Sequence, residues 1–334
     1  METLPSQFDG ALSRIEINAA RRGRAIAAHE DVRTLLETSP TLRALGIDTV
    51  LIGSYARQTS ISPGRDVDVF CKLTALDTSV APSDVFDDFA SVLTDHYHER
   101  AEERARSVKI DFGGEFSVDA VPAANADPHW AIPAHERSIW GGEGRWITTD
   151  PEELGRLTTA ANDSLLIGGQ GAYVPLVKLM RQTGRHHRGD ARPGGLYIEL
   201  ATYDVIDKRM RVDSFAELFA HTLRRVGSRL GRANTEPLLD PALGTMYETQ
   251  PDERAVNALA SLFSGLAEKA EEALESDRCR AAMLWREILG DNDRGRVFPI
   301  PEGCDETGRA VPAIAANPSR GSNEARAFGS AQYA

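Results

Sequence analysis

The sequence predicts an α+β protein in two lobes. A mixed sheet with helices fills residues 1–150, a helical lobe fills 151–306, and a cleft lies between them. Three observations carry this. Asp66-Val67-Asp68-Val69-Phe70 alternates with a period of two, so its valines point to one face of a strand and its aspartates to the other. Residues 108–112 and 115–121 alternate on either side of Gly113-Gly114, a favoured two-residue connection, and read as a hairpin. From Pro151 onward the apolar residues recur at helical spacing.

In chain order, residues 8–45 read as helical through Phe8, Ala11, Leu12 and Ile15, then Ala25, Ile26, Val32, Leu35 and Leu36. Arg21, Arg22 and Arg24 sit on its solvated face. Ser39-Pro40 breaks the pattern, and Leu45-Gly46-Ile47 leads into a strand over 49–52. Residues 83–100 form an amphipathic helix (Val85, Phe86, Phe89, Val92, Leu93, Tyr97), with Ser83 as its cap and Asp84 in the first turn. The stretch 128–146 is rich in Pro, His and Trp without a sustained period and reads as a loop, with Trp130 and Trp140 turned to the core rather than stacked on a base, and His129 and His135 structural. Beyond Pro151, a helix around Lys178 tolerates Pro175 in its first turn. A loop over 182–195 carries Arg185, His186, His187, Arg188 and Arg192, and reads as a mobile surface loop rather than as one that steers anionic nucleotides toward the cleft. Residues 196–205 form a buried element, and amphipathic helices follow over 214–230, 256–274 and 280–289, the last containing Trp285 and stopped by Gly290. Residues 307–334 lack the large apolar groups a core needs and read as a flexible tail.

Composition narrows the function classes. The chain has 334 residues, enough for two modest domains, and 41% of them are hydrophobic, enough to fill a core. A net charge of −12 argues against a long duplex or a tRNA as the main partner, which would call for a basic stripe. Cys71, Cys279 and Cys304 are odd in number and widely spaced, so neither a disulfide framework nor a zinc site is expected. With no long apolar run, no signal peptide or membrane span is expected, and the location is read as cytoplasmic.

The chemistry gathers at residues 52–71. Gly53-Ser54 stands where a strand meets a helix start, a place where backbone N–H groups and a hydroxyl can cradle phosphates. After a turn at Ser62-Pro63-Gly64-Arg65, Asp66 and Asp68 converge from one strand face, about 7 Å apart at a rise of about 3.3 Å per residue. They repel each other unless a cation lies between them, and oxygen donors without His or Cys suit Mg²⁺ or Mn²⁺ better than zinc. Metal-assisted nucleotidyl transfer also wants a third carboxylate on a neighbouring strand. Asp111, Glu115 and Asp119 compete for that place. Alternation puts Asp119 opposite the apolar face, and it is the preferred candidate.

These residues carry a resemblance. Gly-Ser, a spacer and Asp-Val-Asp are similar to the signature of the polymerase-beta-like nucleotidyltransferases. The longer run GSYARQTSISPGRDVDVF looks most like the cGAS/DncV-like branch, the CD-NTases of bacterial anti-phage signalling. Asp119-Ala120-Val121-Pro122-Ala123 resembles the family's third-carboxylate strand. Residues 146–151 resemble its Trp-Ile-x-Thr-x-Pro passage, and 281–299 the close of the domain. The likeness spans roughly residues 8–300 and is diffuse after Pro151. It implies a polymerase-beta-like core of mixed sheet and helices followed by the helical lobe. Gly53, Ser54 and, on the family helix, Lys178 would hold the donor triphosphate, while Asp66, Asp68 and Asp119 would be the catalytic metal ligands. Mg²⁺, or Mn²⁺, would be the cofactor and ribonucleoside triphosphates, ATP among them, the substrates. The product would be a cyclic di- or trinucleotide. The chain's end, with Phe328 and Tyr333 before Ala334, resembles CD-NTases joined through their C-terminus to other molecules by a ubiquitin-transfer-like partner. The competing readings are transfer to an RNA 3′ end or a small molecule, and a catalytically silent nucleotide-binding module.

Overall fold

The computed structural model describes residues 3–114, 116–134, 144–189, 193–207, 210–248 and 251–311. Its first three helices are α1 (Pro5–Ile15), α2 (Ala19–Thr38) and α3 (Pro40–Ala44). The helical stretch breaks at Ser39-Pro40 as expected, and also between Ile15 and Ala19, which was not expected. Asn18 accepts a hydrogen bond from Arg21 N and caps α2, and Ser39 caps α3, where Pro40 supplies a first-turn φ.

A seven-stranded mixed sheet follows: β1 (Ile47–Ile52), β2 (Asp66–Asp77), β3 (Ala101–Glu103), β4 (Val108–Asp111), β5 (Ser117–Ala126), β6 (His129–Ala134) and β7 (Arg145–Thr149). Between β1 and β2 lies the single turn α4 (Gly53–Ala56), and α5 (Pro82–Tyr97) connects β2 to β3. The path is β1-β2-β5-β4-β3, with only β2 and β5 parallel, and β6 and β7 extend the far half of β5. The stretch read as a loop therefore contributes two strands. Trp130 lies edge-on to Phe70 and Trp146 Nε1 donates to Val80 O, so both rings are anchored in the fold. Helix α5 begins one residue before the expected cap, with Pro82 in its first turn, and Ser83 makes no cap.

The period-two reading of β2 holds. Val67, Val69, Cys71 and Leu73 are fully buried against α2, α3 and α5, together with Val108, Ile110, Val118 and Ala120. Removing so much apolar surface from water at about 25 cal/mol per Å² is what fixes the strand's register. It sends Asp66 and Asp68 to the opposite face.

The second lobe holds α6 (Pro151–Ser164), the hairpin β8 (Leu166–Ile167) and β9 (Gln170–Gly171), α7 (Tyr173–Arg188), α8 (Gly195–Val205) and α9 (Phe215–Leu230). It continues with the hairpin β10 (Leu239–Asp240) and β11 (Thr245–Met246), α10 (Glu253–Glu275), α11 (Arg278–Leu289) and the hairpin β12 (Asp291–Asn292) and β13 (Gly295–Arg296). Helix α7 runs through the residues expected to begin a surface loop. Helix α1 packs into this lobe and not against the sheet: Phe8 meets Trp285 and Phe298 edge-to-face, each at 5.1 Å. Gly290 ends α11 at φ 59°, a left-handed stop that only glycine adopts cheaply. The chain then folds back through β12 and β13, which brings Cys304 to the start of α11. There it forms a disulfide with Cys279, against the expectation from spacing. Phe328, Tyr333 and most of the expected tail lie outside the described residues, as do Glu115, His135, Trp140 and Arg192. No described helix is long and apolar enough to cross a membrane.

Candidate active site

A cleft of about 820 Å³ opens between the sheet and the helical lobe, and two oppositely charged walls face each other across it. The first wall is built by β2 and β5. Their parallel register sets Asp68 beside Asp119 and Asp66 beside Ser117. Asp66 accepts from Ser117 Oγ at 2.9 Å and lies 3.6 Å from Lys109 Nζ, while Asp119 accepts from Ser107 Oγ at 3.3 Å. Desolvation, then repulsion from Asp119 and Asp66, pushes the Asp68 carboxyl up to about 7. Burial also raises Asp119, against the pull of Lys109. Gly53 closes the wall's upper edge. At φ 70° it takes the left-handed conformation, and a Cβ there would overlap the Asp68 carboxylate. The turn after it is stapled down: Thr59 N and Ser60 N donate to Ser54 O, and Tyr55 Oη donates to Gly64 O.

The second wall is cationic. Arg57, Arg181 and Arg185 line it, the first from the segment after α4 and the others from α7. Arg57 forks onto Glu199 of α8, with Nε 2.7 Å from Oε1 and Nη2 3.3 Å from Oε2. Desolvation opposes the Arg57 charge, but the adjacent Glu199 carboxylate outweighs it and the net shift is upward. Arg181 donates to Thr59 O at 3.0 Å, and burial pulls its pKa down. Arg185 donates to Ser62 O at 2.7 Å. Trp146, Ile147 and Thr148 of β7 also line the cleft, as do Leu243, Thr245 and Tyr247 in and after the β10–β11 hairpin. Arg145 and Glu248 are ion-paired there, joining the two lobes.

Of the residues predicted from sequence, Gly53, Ser54, Asp66, Asp68 and Asp119 line this one cleft. Asp111 does not: it is exposed and accepts from Gly114 N at 2.8 Å, closing its own turn. Lys178 is also elsewhere. It is buried against α1, ion-paired with Glu16, because its side of α7 faces the lobe's own core. Arg181, one turn further along α7, reaches the cleft instead. His129, read as structural without a partner, lines the cleft with Nδ1 3.2 Å from Asp150 Oδ2. Sequence reasoning passed over Arg57, Thr59 and Glu199. The first two lie inside the run GSYARQTS, and Glu199 is a lone acid in the apolar run LYIELATYDV.

Among the described residues, no three His, Cys, Asp or Glu side chains stand in metal-holding geometry. Ser107 and Ser117 donate to Asp119 and Asp66, and Lys109 lies beside Asp66. Their chemistry nonetheless fits a hard divalent cation: all donors are carboxylate oxygens, and Asp68 carries the mutual repulsion that a cation relieves.

Residues 1–162 match the model of the Second Messenger Oligonucleotide or Dinucleotide Synthetase domain. The chain is 25% identical over 314 residues, 86% of its length and 85% of the relative's, to the cyclic AMP-AMP-AMP synthase of an Acinetobacter species. Its fold is similar to that of the Bradyrhizobium diazoefficiens CD-NTase CdnG in complex with GTP, with a TM-score of 0.66 at 13% identity, covering 85% of this chain and 96% of that one. It is also similar to Escherichia coli MS115-1 CdnC with ATP, with a TM-score of 0.59 at 14% identity, covering 89% and 100%. At these identities the structural likeness is one of fold, the polymerase-beta-like nucleotidyltransferase fold of the CD-NTases.

Proposed function

We propose, for a chain that through residues 1–162 belongs to the second messenger oligonucleotide or dinucleotide synthetases of the CD-NTase group, that it joins ribonucleoside triphosphates into a cyclic di- or trinucleotide and releases pyrophosphate. The observation that carries this reading is the pair of facing walls. Carboxylates from β2 and β5 stand opposite Arg57 and Arg181, with the Gly53–Ser54 turn at their junction. A nucleoside triphosphate is the ligand that needs both signs at once.

In this reading Gly53 and Ser54 receive the donor triphosphate, and Arg181, with Arg57 behind it, takes up the charge of its outer phosphates. Asp66, Asp68 and Asp119 would hold Mg²⁺ or Mn²⁺, which when bound neutralises charge on the reacting phosphoryl group and lowers the pKa of the attacking hydroxyl. Asp119, beside Asp68 across the β2–β5 pair, takes up the acceptor hydroxyl proton. That oxygen then bonds to the donor α-phosphorus as the bond to pyrophosphate breaks, in line. The cleft walls position two nucleotides and exclude water, and a second transfer closes the ring.

The Acinetobacter relative makes ATP the first substrate to test and cyclic triadenylate the first product to look for. Purified protein is incubated with labelled nucleoside triphosphates and Mg²⁺, then treated with phosphatase. Phosphatase-resistant cyclic products are expected. Label appearing only when an RNA or a small-molecule acceptor is added would replace this reading with transfer to that acceptor. No incorporation under any condition would leave a nucleotide-binding module.

A further inference from the structure

We propose that Glu199 is a positioning residue, a single buried carboxylate on α8 that sets Arg181 and the Gly53–Ser54 turn in one register for the donor triphosphate. The proposal rests on the nucleotidyltransferase reading of the cleft. Glu199 is 1% exposed and lies behind the cleft lining. It accepts two hydrogen bonds from Arg57 and a third from Thr59 Oγ1 at 3.1 Å. Because that hydroxyl proton goes to Glu199, its lone pairs face Arg181 Nη1 at 3.3 Å. Arg181 Nη1 is also 3.8 Å from Glu199 Oε2.

Arg57 and Thr59 are tied by their backbones to the turn. Arg57 N donates to Gly53 O at 3.2 Å and Thr59 N to Ser54 O at 2.9 Å. The same short segment thus grips Glu199 with its side chains and the Gly53–Ser54 carbonyls with its amides. From the other side the α8 backbone closes on Arg181, since a Cβ on Gly195 would stand 2.7 Å from Arg181 Nε. Two guanidiniums share one carboxylate, so a net positive charge is left facing the cleft. A carboxylate that only held the lobes together would not need to reach Arg181 through a hydroxyl of the phosphate-side turn.

The test is titration calorimetry with α,β-methylene-ATP and with AMP, on the full chain and two variants. Glu199→Gln keeps the shape but presents a donor to a guanidinium. Thr59→Val keeps the Arg57–Glu199 pair and the Arg181 bond to the Thr59 carbonyl, and deletes only the hydroxyl that links Glu199 to Arg181. The expected result is a fall of roughly tenfold in the ratio of triphosphate to monophosphate affinity, as for one charge-assisted hydrogen bond, with AMP affinity unchanged. If Glu199→Gln does not fold, Thr59→Val decides alone. Variants that keep the wild-type ratio, or that lose both ligands equally, overturn the positioning role. Wild-type protein that binds neither nucleotide sinks the nucleotidyltransferase reading beneath it.

Discussion

The two walls of the cleft solve opposite electrostatic problems in opposite ways. On the arginine wall every cation described is given a named acceptor: Glu199 for Arg57, Thr59 O for Arg181, Ser62 O for Arg185. On the carboxylate wall Asp68 stands against Asp119 and Asp66, with Lys109 and two serine hydroxyls at the edges. A folded chain does not gather like charges for stability, since each raised pKa is a free-energy cost in the ionised state. The difference teaches that the basic wall is set in place by its own acceptors, while the acidic wall keeps a repulsion that a cation would relieve.

The sharpest way to break this comparison is Asp66→Ala with Asp68→Ala. Losing the several kcal/mol by which a metal held there would lower the barrier should cut product formation by about 10³-fold or more, with the fold intact by circular dichroism. Near-normal turnover would show that the acidic wall is not the reacting one. Next in size is Asp119→Asn, expected to lower turnover by about 10²-fold, because an amide is a weaker ligand without charge. Asp111→Asn should leave turnover as it is, and the reverse order would move the third carboxylate to β4.

Arg181→Ala addresses the other wall. It should raise the KM for the nucleoside triphosphate by about tenfold, the worth of a charge-assisted contact. Lys178→Met should act on melting temperature through the lost Glu16 pair and leave KM alone. A last effect is on stability and not on turnover. Native Asp68 keeps its proton up to about pH 7, whereas the unfolded chain releases it near 3.8. Between those values the native state binds more protons, so stability falls as pH rises, by on the order of 2–4 kcal/mol over the whole window. Thermal melts of metal-free protein at pH 5 and 7.5 should show this decline, Asp68→Asn should flatten it, and Mg²⁺ should raise the melting temperature more at the higher pH.

Much of the carboxylate wall was legible because strand alternation couples a residue's face to its neighbours: once Val67 and Val69 are apolar, Asp66 and Asp68 have one place to go. The arginine wall was not legible in this way. Lys178 and Arg181 differ by one helical turn, and which of them meets the cleft depends on how α7 packs against α1, a long-range fact. Strands β6 and β7 escaped because Pro133 and the histidines interrupt any period, and their pairing with β5 is tertiary. The disulfide escaped because spacing says nothing of the fold-back after Gly290.

The placement of α1 has a consequence for how the protein is made. Arg14 donates to Arg296 O across 282 residues of chain, and Phe8 waits for Trp285 and Phe298. During synthesis the strands from β1 to β7 emerge together and can pair as soon as they leave the ribosome. The helical lobe cannot seal until its final helix arrives, since its earliest and latest segments share one interior, and contacts of such high separation form slowly. The acidic wall is therefore complete well before the cationic one is locked behind it. A chain cut short of α11 leaves Phe8 without Trp285 and Phe298, and the lobe that carries Arg181 and Arg185 without the last side of its core.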